Sequence, residues 1–283
     1  MDIKKPFVIG GGIMGAGVGQ LCAQKGYEVT VVDISEEIVE KAKGKIRAGL
    51  SRRVEKGKIT QEEMESVLSR MNWSTDLDMA KESDFVVEAV SENLGVKKEI
   101  FKKLDSICLP ETILATNTTA LSVSEVASAT SRADKVIGMH FFNPAVIMKL
   151  VEIIRGEKTS EETIATTKKF AENLGKTPIT TSKEAPAGIV SRVLAGLLNE
   201  AAVVYSEGIA SPEDIDEAMK LGAGHPLGPL ALIDMIGLDI HLAKMETLYE
   251  KFKDERYKPP EVIRKMVADG KLGKKSGEGF YKY

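Results

Sequence analysis

Five glycines fall within eight residues at Gly10-Gly11-Gly12-Ile13-Met14-Gly15-Ala16-Gly17, directly after the apolar run Phe7-Val8-Ile9 and before a helix-like stretch, residues 16–25, that stops at Gly26. A strand that turns this sharply into a helix leaves few topologies open. The spacing Gly10-x-Gly12-x-x-Gly15 keeps Cβ atoms out of the turn. The helix start adds unpaired N–H groups and a partial positive charge, which together suit a pyrophosphate. Glycine-rich turns also arise where a strand merely packs tightly on a helix, so the next strand decides. Val29-Thr30-Val31-Val32 ends in Asp33, a carboxylate 23 residues after Gly10, where an adenosine ribose needs an acceptor for its hydroxyls. The pattern implies a dinucleotide held by Gly10, Gly12, Ile13, Met14 and Gly15, with Asp33 on the ribose. Asp33 selects NAD over NADP, because a ribose phosphate would meet a like charge.

Apolar runs of strand length alternate with helix-period segments through the first two-thirds of the chain, at residues 7–9, 29–32, 85–87, 113–115 and 136–139. This alternation predicts an α/β fold, a Rossmann-type mainly parallel sheet with helices on its faces. After about Lys183 the strands stop. Helical spacing covers residues 187–207, 212–221, 230–252 and 260–268, with Ser211-Pro212-Glu213 and Pro259-Pro260-Glu261 as start signals. Two domains are therefore expected, an NAD-binding domain over residues 1–184 and an all-helical domain over residues 185–283.

Composition narrows the partners. The 283 residues are 43% hydrophobic and 29% charged, enough for a substantial core, and the net charge of −3 gives no global attraction to nucleic acid or an anionic membrane. No apolar run reaches membrane-spanning length, and no signal-peptide core follows Met1, so the cytoplasm is the expected compartment. Cys22 and Cys108 lie in apolar surroundings without a paired spacing, which indicates neither a disulfide framework nor a metal site.

The chain has three histidines, so the search for an acid–base group is short. His140 ends the run from Lys135, and Glu152 lies in the next apolar run, Lys149-Leu150-Val151-Glu152-Ile153-Ile154. The connection between them is too short for a parallel crossover, so an antiparallel return about Val146 is the simpler geometry and sets His140 opposite Glu152. A carboxylate beside an imidazole fixes its tautomer and stabilises its cation, as a general base for an alcohol proton requires. On spacing alone, a strand-end histidine with a surface glutamate fits equally well. His225, before a proline, reads as a loop residue, and His241 as a partly buried helix residue.

Six motifs in order carry a resemblance that runs nearly end to end. They are Val8 to Gly15, Val87-Glu88-Ala89-Val90-Ser91-Glu92-Asn93, Asn117-Thr118-Thr119, His140-Phe141-Phe142-Asn143-Pro144, Met148-Lys149-Leu150-Val151-Glu152, and the tail Gly273 to Tyr281. Together they resemble the short-chain L-3-hydroxyacyl-CoA dehydrogenases, on the bacterial 3-hydroxybutyryl-CoA branch. The resemblance implies that His140 takes the 3-hydroxyl proton while hydride leaves for the nicotinamide, and that Glu152 orients the imidazole. It puts Thr119 where the family carries a serine that bonds the substrate oxygen and contacts the cofactor. Asn143 is placed on the cofactor and substrate face, and Glu92, Lys97 and Lys275 at the nicotinamide ribose and cofactor edge. For Lys275 a solvated surface charge is an equal reading. One position departs: Pro186-Ala187-Gly188-Ile189-Val190-Ser191-Arg192 carries Ser191 where the family has an asparagine on the acyl oxygen, so that contact is in doubt, and Ser191 is expected to bond the substrate with a shorter reach.

Between residues 41 and 58, eight lysines and arginines face the single acid Glu55. Such a run is usually a solvated helix face, but coenzyme A brings phosphates that want cationic partners. In family register Lys56 is the CoA-binding lysine, and Gly49 replaces a hydroxyl-bearing residue. The resemblance thus implies an NAD-dependent dehydrogenase of a short 3-hydroxyacyl-CoA, a homodimer, with the acyl end between the domains, and it assigns substrate binding and dimerisation to the helical domain. Its direction, butyrate-forming reduction or fatty-acid oxidation, is left open. A dehydrogenase of a free hydroxy acid, as in the gulonate dehydrogenase and lambda-crystallin branch, and a catalytically idle NAD-binding protein are the alternatives.

Overall fold

The computed structural model describes residues 2–184 and 187–283, and the chain divides into two compact units, residues 1–188 and 189–283. The junction expected between Glu184 and Ala185 lies outside the described residues.

In the first unit the chain runs β1 (Pro6–Ile9), α1 (Ile13–Gln24), β2 (Val29–Val32), α2 (Glu36–Glu55), α3 (Gln61–Ser69), β3 (Met71–Ser74), β4 (Phe85–Glu88), α4 (Leu94–Ile107), β5 (Ile113–Thr116), α5 (Val123–Ala127), β6 (Val136–Phe141), β7 (Leu150–Arg155), α6 (Glu161–Asn173) and β8 (Thr177–Thr180). These strands form one eight-stranded sheet in the order β3-β2-β1-β4-β5-β6-β7-β8. All neighbours are parallel except β6 and β7. The strand order reverses between β1 and β4, and in open parallel sheets that crevice, outside the carboxyl ends, is where ligands bind. Both sheet faces are covered, which is why central strands such as β1 and β4 are buried at every position.

Six strands follow the sequence reading, and two were not expected. β3 reads Met71-Asn72-Trp73-Ser74 and β8 reads Thr177-Pro178-Ile179-Thr180; both are edge strands with polar or half-exposed positions, so neither shows a buried apolar run. Pro178 is tolerated because an edge strand needs hydrogen bonds on only one side. Three of the expected strands also run further than their apolar core: β4 to Glu88, β5 to Thr116 and β6 to Phe141, so His140 sits within its strand.

The second unit is helical: α7 (Val190–Ser206), α8 (Pro212–Ala223), α9 (Pro229–Ile236), α10 (Leu238–Phe252) and α11 (Glu261–Ala268). Its core joins Leu198, Ala202, Leu230, Ile233, Leu238 and Ile263. The single helix expected over 230–252 is two, broken at Gly237, whose φ of +106° an L side chain rarely adopts. Helical apolar spacing continues across the break, which hid it. Two buried carboxylates pin the C-terminal tail onto this core. Asp234 accepts from the Phe280 and Tyr281 N–H groups at 3.0 and 2.9 Å, and Asp216 from the Leu230 and Ala231 N–H groups and the Tyr281 hydroxyl at 2.8 to 2.9 Å. Burial raises the Asp234 carboxyl above its ordinary range despite these donors.

Candidate active site

The glycine turn explains its own composition. At Gly10, φ is +112° and a Cβ would lie 2.5 Å from the Ala89 carbonyl oxygen, while a Cβ on Gly15 would strike the Gly10 carbonyl. Gly12 differs: a Cβ there would meet nothing, so the space it leaves faces outward. No side chain caps the α1 N-terminus and no acidic residue sits in its first turn. The turn thus offers an open cradle over uncapped N–H groups, the fit a diphosphate needs. Asp33, just past β2, accepts from Gly11 N–H at 2.5 Å with one oxygen and from Ile34 N–H at 2.7 Å with the other. Its half-buried carboxylate is therefore held against the turn.

On the other side of the crevice, β6 and β7 pair in the register that the short connection requires, His140 opposite Glu152. His140 Nδ1 lies 3.0 Å from Glu152 Oε2, and Glu152 is fully buried. A Cβ on Gly188 would strike that same carboxylate, so the end of the unit closes on Glu152 with no room for a larger residue. The second ring nitrogen, Nε2, lies 3.3 Å from the Thr119 hydroxyl, and the ring packs on Phe142 at 4.6 Å between centroids. With Nδ1–H donated to the carboxylate, Nε2 is left as the nitrogen that exchanges a proton with a ligand. The 142–148 connection is itself braced: the buried ammonium of Lys176 donates to the Ala145 and Met148 carbonyls at 2.6 and 2.8 Å, and burial lowers its pKa.

Thr119 is held from behind. Glu92 Oε1 accepts from the Thr118 hydroxyl at 2.6 Å and from the N–H groups of Thr119 and Ala120 at 2.8 Å each. Burial works to raise the Glu92 carboxyl, but the Thr118 hydroxyl, the Ala120 N–H and Lys97 outweigh it and leave it below the ordinary range. Lys97 is not at the surface: its side chain is fully buried, 2.6 Å from Glu88 and 3.7 Å from Glu92. Asn117 Oδ1 accepts from Phe141 N–H at 2.8 Å and ties the same loop to β6.

A groove of about 430 Å³ opens beside the glycine turn, lined by Gly12, Ile13, Lys41, Lys45, Asn143 and Val146 among others. Asn143 thus lines the same groove as the glycine turn. Lys41 and Lys45, which the sequence reading passed over in favour of Lys56, share a face of α2 with Arg52 and Lys56 at helical spacing. All four are exposed, and none has a carboxylate partner among the described residues, whereas Lys43 and Arg47 pair with Glu40 and Glu65 at 2.5 and 3.8 Å. In the second unit, Ser191 is half-buried in the first turn of α7, and Lys275 pairs with Asp239 at 2.6 Å. Among the described residues no group of three His, Cys, Asp or Glu side chains could hold a metal, and no helix is long and apolar enough to cross a membrane.

A nucleotide cradle at the switch point and, at the carboxyl end of β6, a histidine backed by a carboxylate from the start of β7 define an NAD-binding dehydrogenase. Residues 6–185 match the model of the 3-hydroxyacyl-CoA dehydrogenase NAD-binding domain and residues 189–283 that of the C-terminal domain. The chain belongs to the 3-hydroxyacyl-CoA dehydrogenase family. It is 47% identical over 283 residues to the probable 3-hydroxybutyryl-CoA dehydrogenase of Bacillus subtilis, covering 100% of this chain and 98% of that protein. It is 45% identical to the 3-hydroxybutyryl-CoA dehydrogenase of Clostridioides difficile, covering 98% of each. Its structure matches that of (S)-3-hydroxybutyryl-CoA dehydrogenase from Ralstonia eutropha with a TM-score of 0.96 at 47% identity, covering 100% of this chain and 99% of that one.

Proposed function

We propose that the chain is an NAD-dependent (S)-3-hydroxybutyryl-CoA dehydrogenase that interconverts 3-hydroxybutyryl-CoA and acetoacetyl-CoA in the cytoplasm. The observation that carries this reading is His140, with one nitrogen on a buried carboxylate and the other beside the Thr119 hydroxyl. NAD held at the glycine turn and Asp33 would supply the hydride acceptor for C3 of the alcohol and, in its reduced form, the hydride donor for the ketone. In oxidation His140 Nε2 takes the hydroxyl proton and Glu152 stabilises the resulting imidazolium; in reduction the same nitrogen donates. Thr119 donates a hydrogen bond to the substrate oxygen and so fixes its distance from Nε2. Gly10, Gly12, Ile13, Met14 and Gly15 cradle the diphosphate and Asp33 takes the ribose hydroxyls, which favours NAD over NADP. Asn143 and Glu92 border the cofactor, Lys97 acts there through Glu92, and Lys275 and Ser191 are the contributions proposed from the second unit, to cofactor and acyl oxygen respectively.

The unpaired cations on α2 support a coenzyme A thioester over a free acid. Lys56 is assigned to a phosphate of coenzyme A. Exposed apolar side chains on the second unit, including Val193, Ile209 and Met235 at 60 to 66% exposure, support a homodimer through that unit. The test is NADH oxidation with acetoacetyl-CoA against free acetoacetate. Turnover of the thioester alone is expected; equal turnover of free acetoacetate would move the assignment to hydroxy-acid dehydrogenases, and no turnover of either would leave an idle nucleotide-binding protein. Lys56→Ala is expected to raise KM for acetoacetyl-CoA about tenfold, the size of one charge-assisted hydrogen bond, and to spare KM for NADH. Equal effects on both would remove Lys56 from the CoA site.

A further inference from the structure

β4 ends in a glutamate that the mechanism above does not use. Glu88 is fully buried at the carboxyl end of its strand, beside Thr116 in the register of β5. Its oxygens are satisfied on all sides: Oε1 accepts from the Val90 N–H at 2.7 Å and from Lys97 at 2.6 Å, and Oε2 from the Thr116 hydroxyl at 2.6 Å. A buried ion pair is weak evidence for stability, since apolar side chains of like volume commonly do as well or better. The position of this pair points instead to what it holds. Lys97 leans on Glu88 and stands off from Glu92 by 3.7 Å, so its charge favours the Glu92 anion without occupying it. Glu92 Oε1 is thereby left to its three donors in the loop, Thr118, Thr119 and Ala120. That loop presents the Thr119 hydroxyl to His140 Nε2. Toward the cofactor, the Val90 N–H that Glu88 holds follows Ala89, whose carbonyl lies against Gly10.

We propose that Glu88 is a positioning residue of this active site: by anchoring Lys97 it keeps the Glu92 carboxylate on the 118–120 loop, and so sets the Thr119 hydroxyl beside His140. Without Glu88 the Lys97 ammonium has Glu92 as its remaining counter-charge and draws that carboxylate off the loop. The proposal rests on the dehydrogenase reading for its effect on rate, while its effect on the loop is independent of any reaction.

The experiment combines amide hydrogen exchange with a double-mutant cycle. In Glu88→Gln the amides of Thr119 and Ala120 are expected to exchange at least about tenfold faster, while those of Val87 and Leu114 keep their rates; in Glu88→Gln/Lys97→Met, which removes the ammonium that would draw Glu92 away and keeps the buried site neutral should the single variant fold poorly, they are expected to return to within about threefold of the wild-type rates. In Glu88→Gln the kcat for acetoacetyl-CoA reduction is expected to fall about tenfold or more, and in a Thr119→Ala background the same Glu88→Gln change is expected to cost less than about twofold, because residues acting through one another are not additive. Unchanged exchange at Thr119 and Ala120 in Glu88→Gln, exchange that stays fast in the double variant, or losses that multiply in the cycle, would overturn the proposal. Wild-type protein inert toward acetoacetyl-CoA would defeat the dehydrogenase reading alone, with the exchange rates still deciding for or against Glu88.

Discussion

The chain buries two imidazoles, one in each unit, and treats them in opposite ways. His140 is 5% exposed and His241 2%, so access to solvent hardly separates them. What separates them is the company each keeps. His140 has Glu152 on one nitrogen and the Thr119 hydroxyl near the other. His241, on α10, leaves Nε2 without a partner, and burial, with a smaller contribution from Lys244, pushes its pKa down to about 4. Burial alone makes a histidine permanently neutral near neutral pH; burial beside an ionised carboxylate makes one that can carry a proton back and forth. The second unit spends its buried carboxylates, Asp216 and Asp234, on pinning the tail through N–H and tyrosine donors, and leaves its histidine apolar in behaviour.

This contrast breaks most visibly at His140. His140→Asn is expected to lower kcat for acetoacetyl-CoA reduction by about 10²–10⁴, the usual worth of a positioned general acid–base; steady-state rates with NADH binding measured alongside check that the loss lies in chemistry. Glu152→Gln leaves the imidazole in place but removes the charge that stabilises its cation, and a loss on the order of 10² in kcat is expected. A change under threefold in either variant would place His140 with His241 as a structural residue. The smallest effect on rate belongs to His241→Leu, which is expected to leave kcat within twofold. Its effect is on acid stability. The His241 folded pKa, about 4, lies below the ordinary 6.5, so the unfolded chain binds the extra proton first and stability falls as pH drops from about 6.5 to about 4. The leucine variant should lose that slope, worth roughly 3 kcal/mol across the window, in urea titrations run from pH 7 to pH 4. An unchanged slope would show that His241 finds a partner in solution.

Legibility in the sequence followed the same physics. The central strands announced themselves because a parallel sheet covered on both faces needs apolar runs, and the His140–Glu152 register was readable because a short connection permits only an antiparallel return. The edge strands β3 and β8 were not, since their polar, half-exposed positions look like loop. The break at Gly237 was hidden by apolar spacing that continues through it. Lys97 was expected at the cofactor edge and Glu88 had no role of its own; only the fold, by lengthening β4 to its last residue and turning α4 onto it, revealed a buried pair. The face of α2 that carries Lys41, Lys45, Arg52 and Lys56 was legible in part, because those residues are spaced by four, seven and four, while only the structure showed that Lys43 and Arg47 are paired with Glu40 and Glu65.

The central claim is that the His140 nitrogen facing Thr119 carries the proton. Chemical rescue tests it most directly: His140→Ala, supplied with NADH and acetoacetyl-CoA, should regain turnover in a saturable way as imidazole is added, with NADH affinity unaltered throughout. An alanine enzyme that turns over near the wild-type rate with no imidazole present would contradict it.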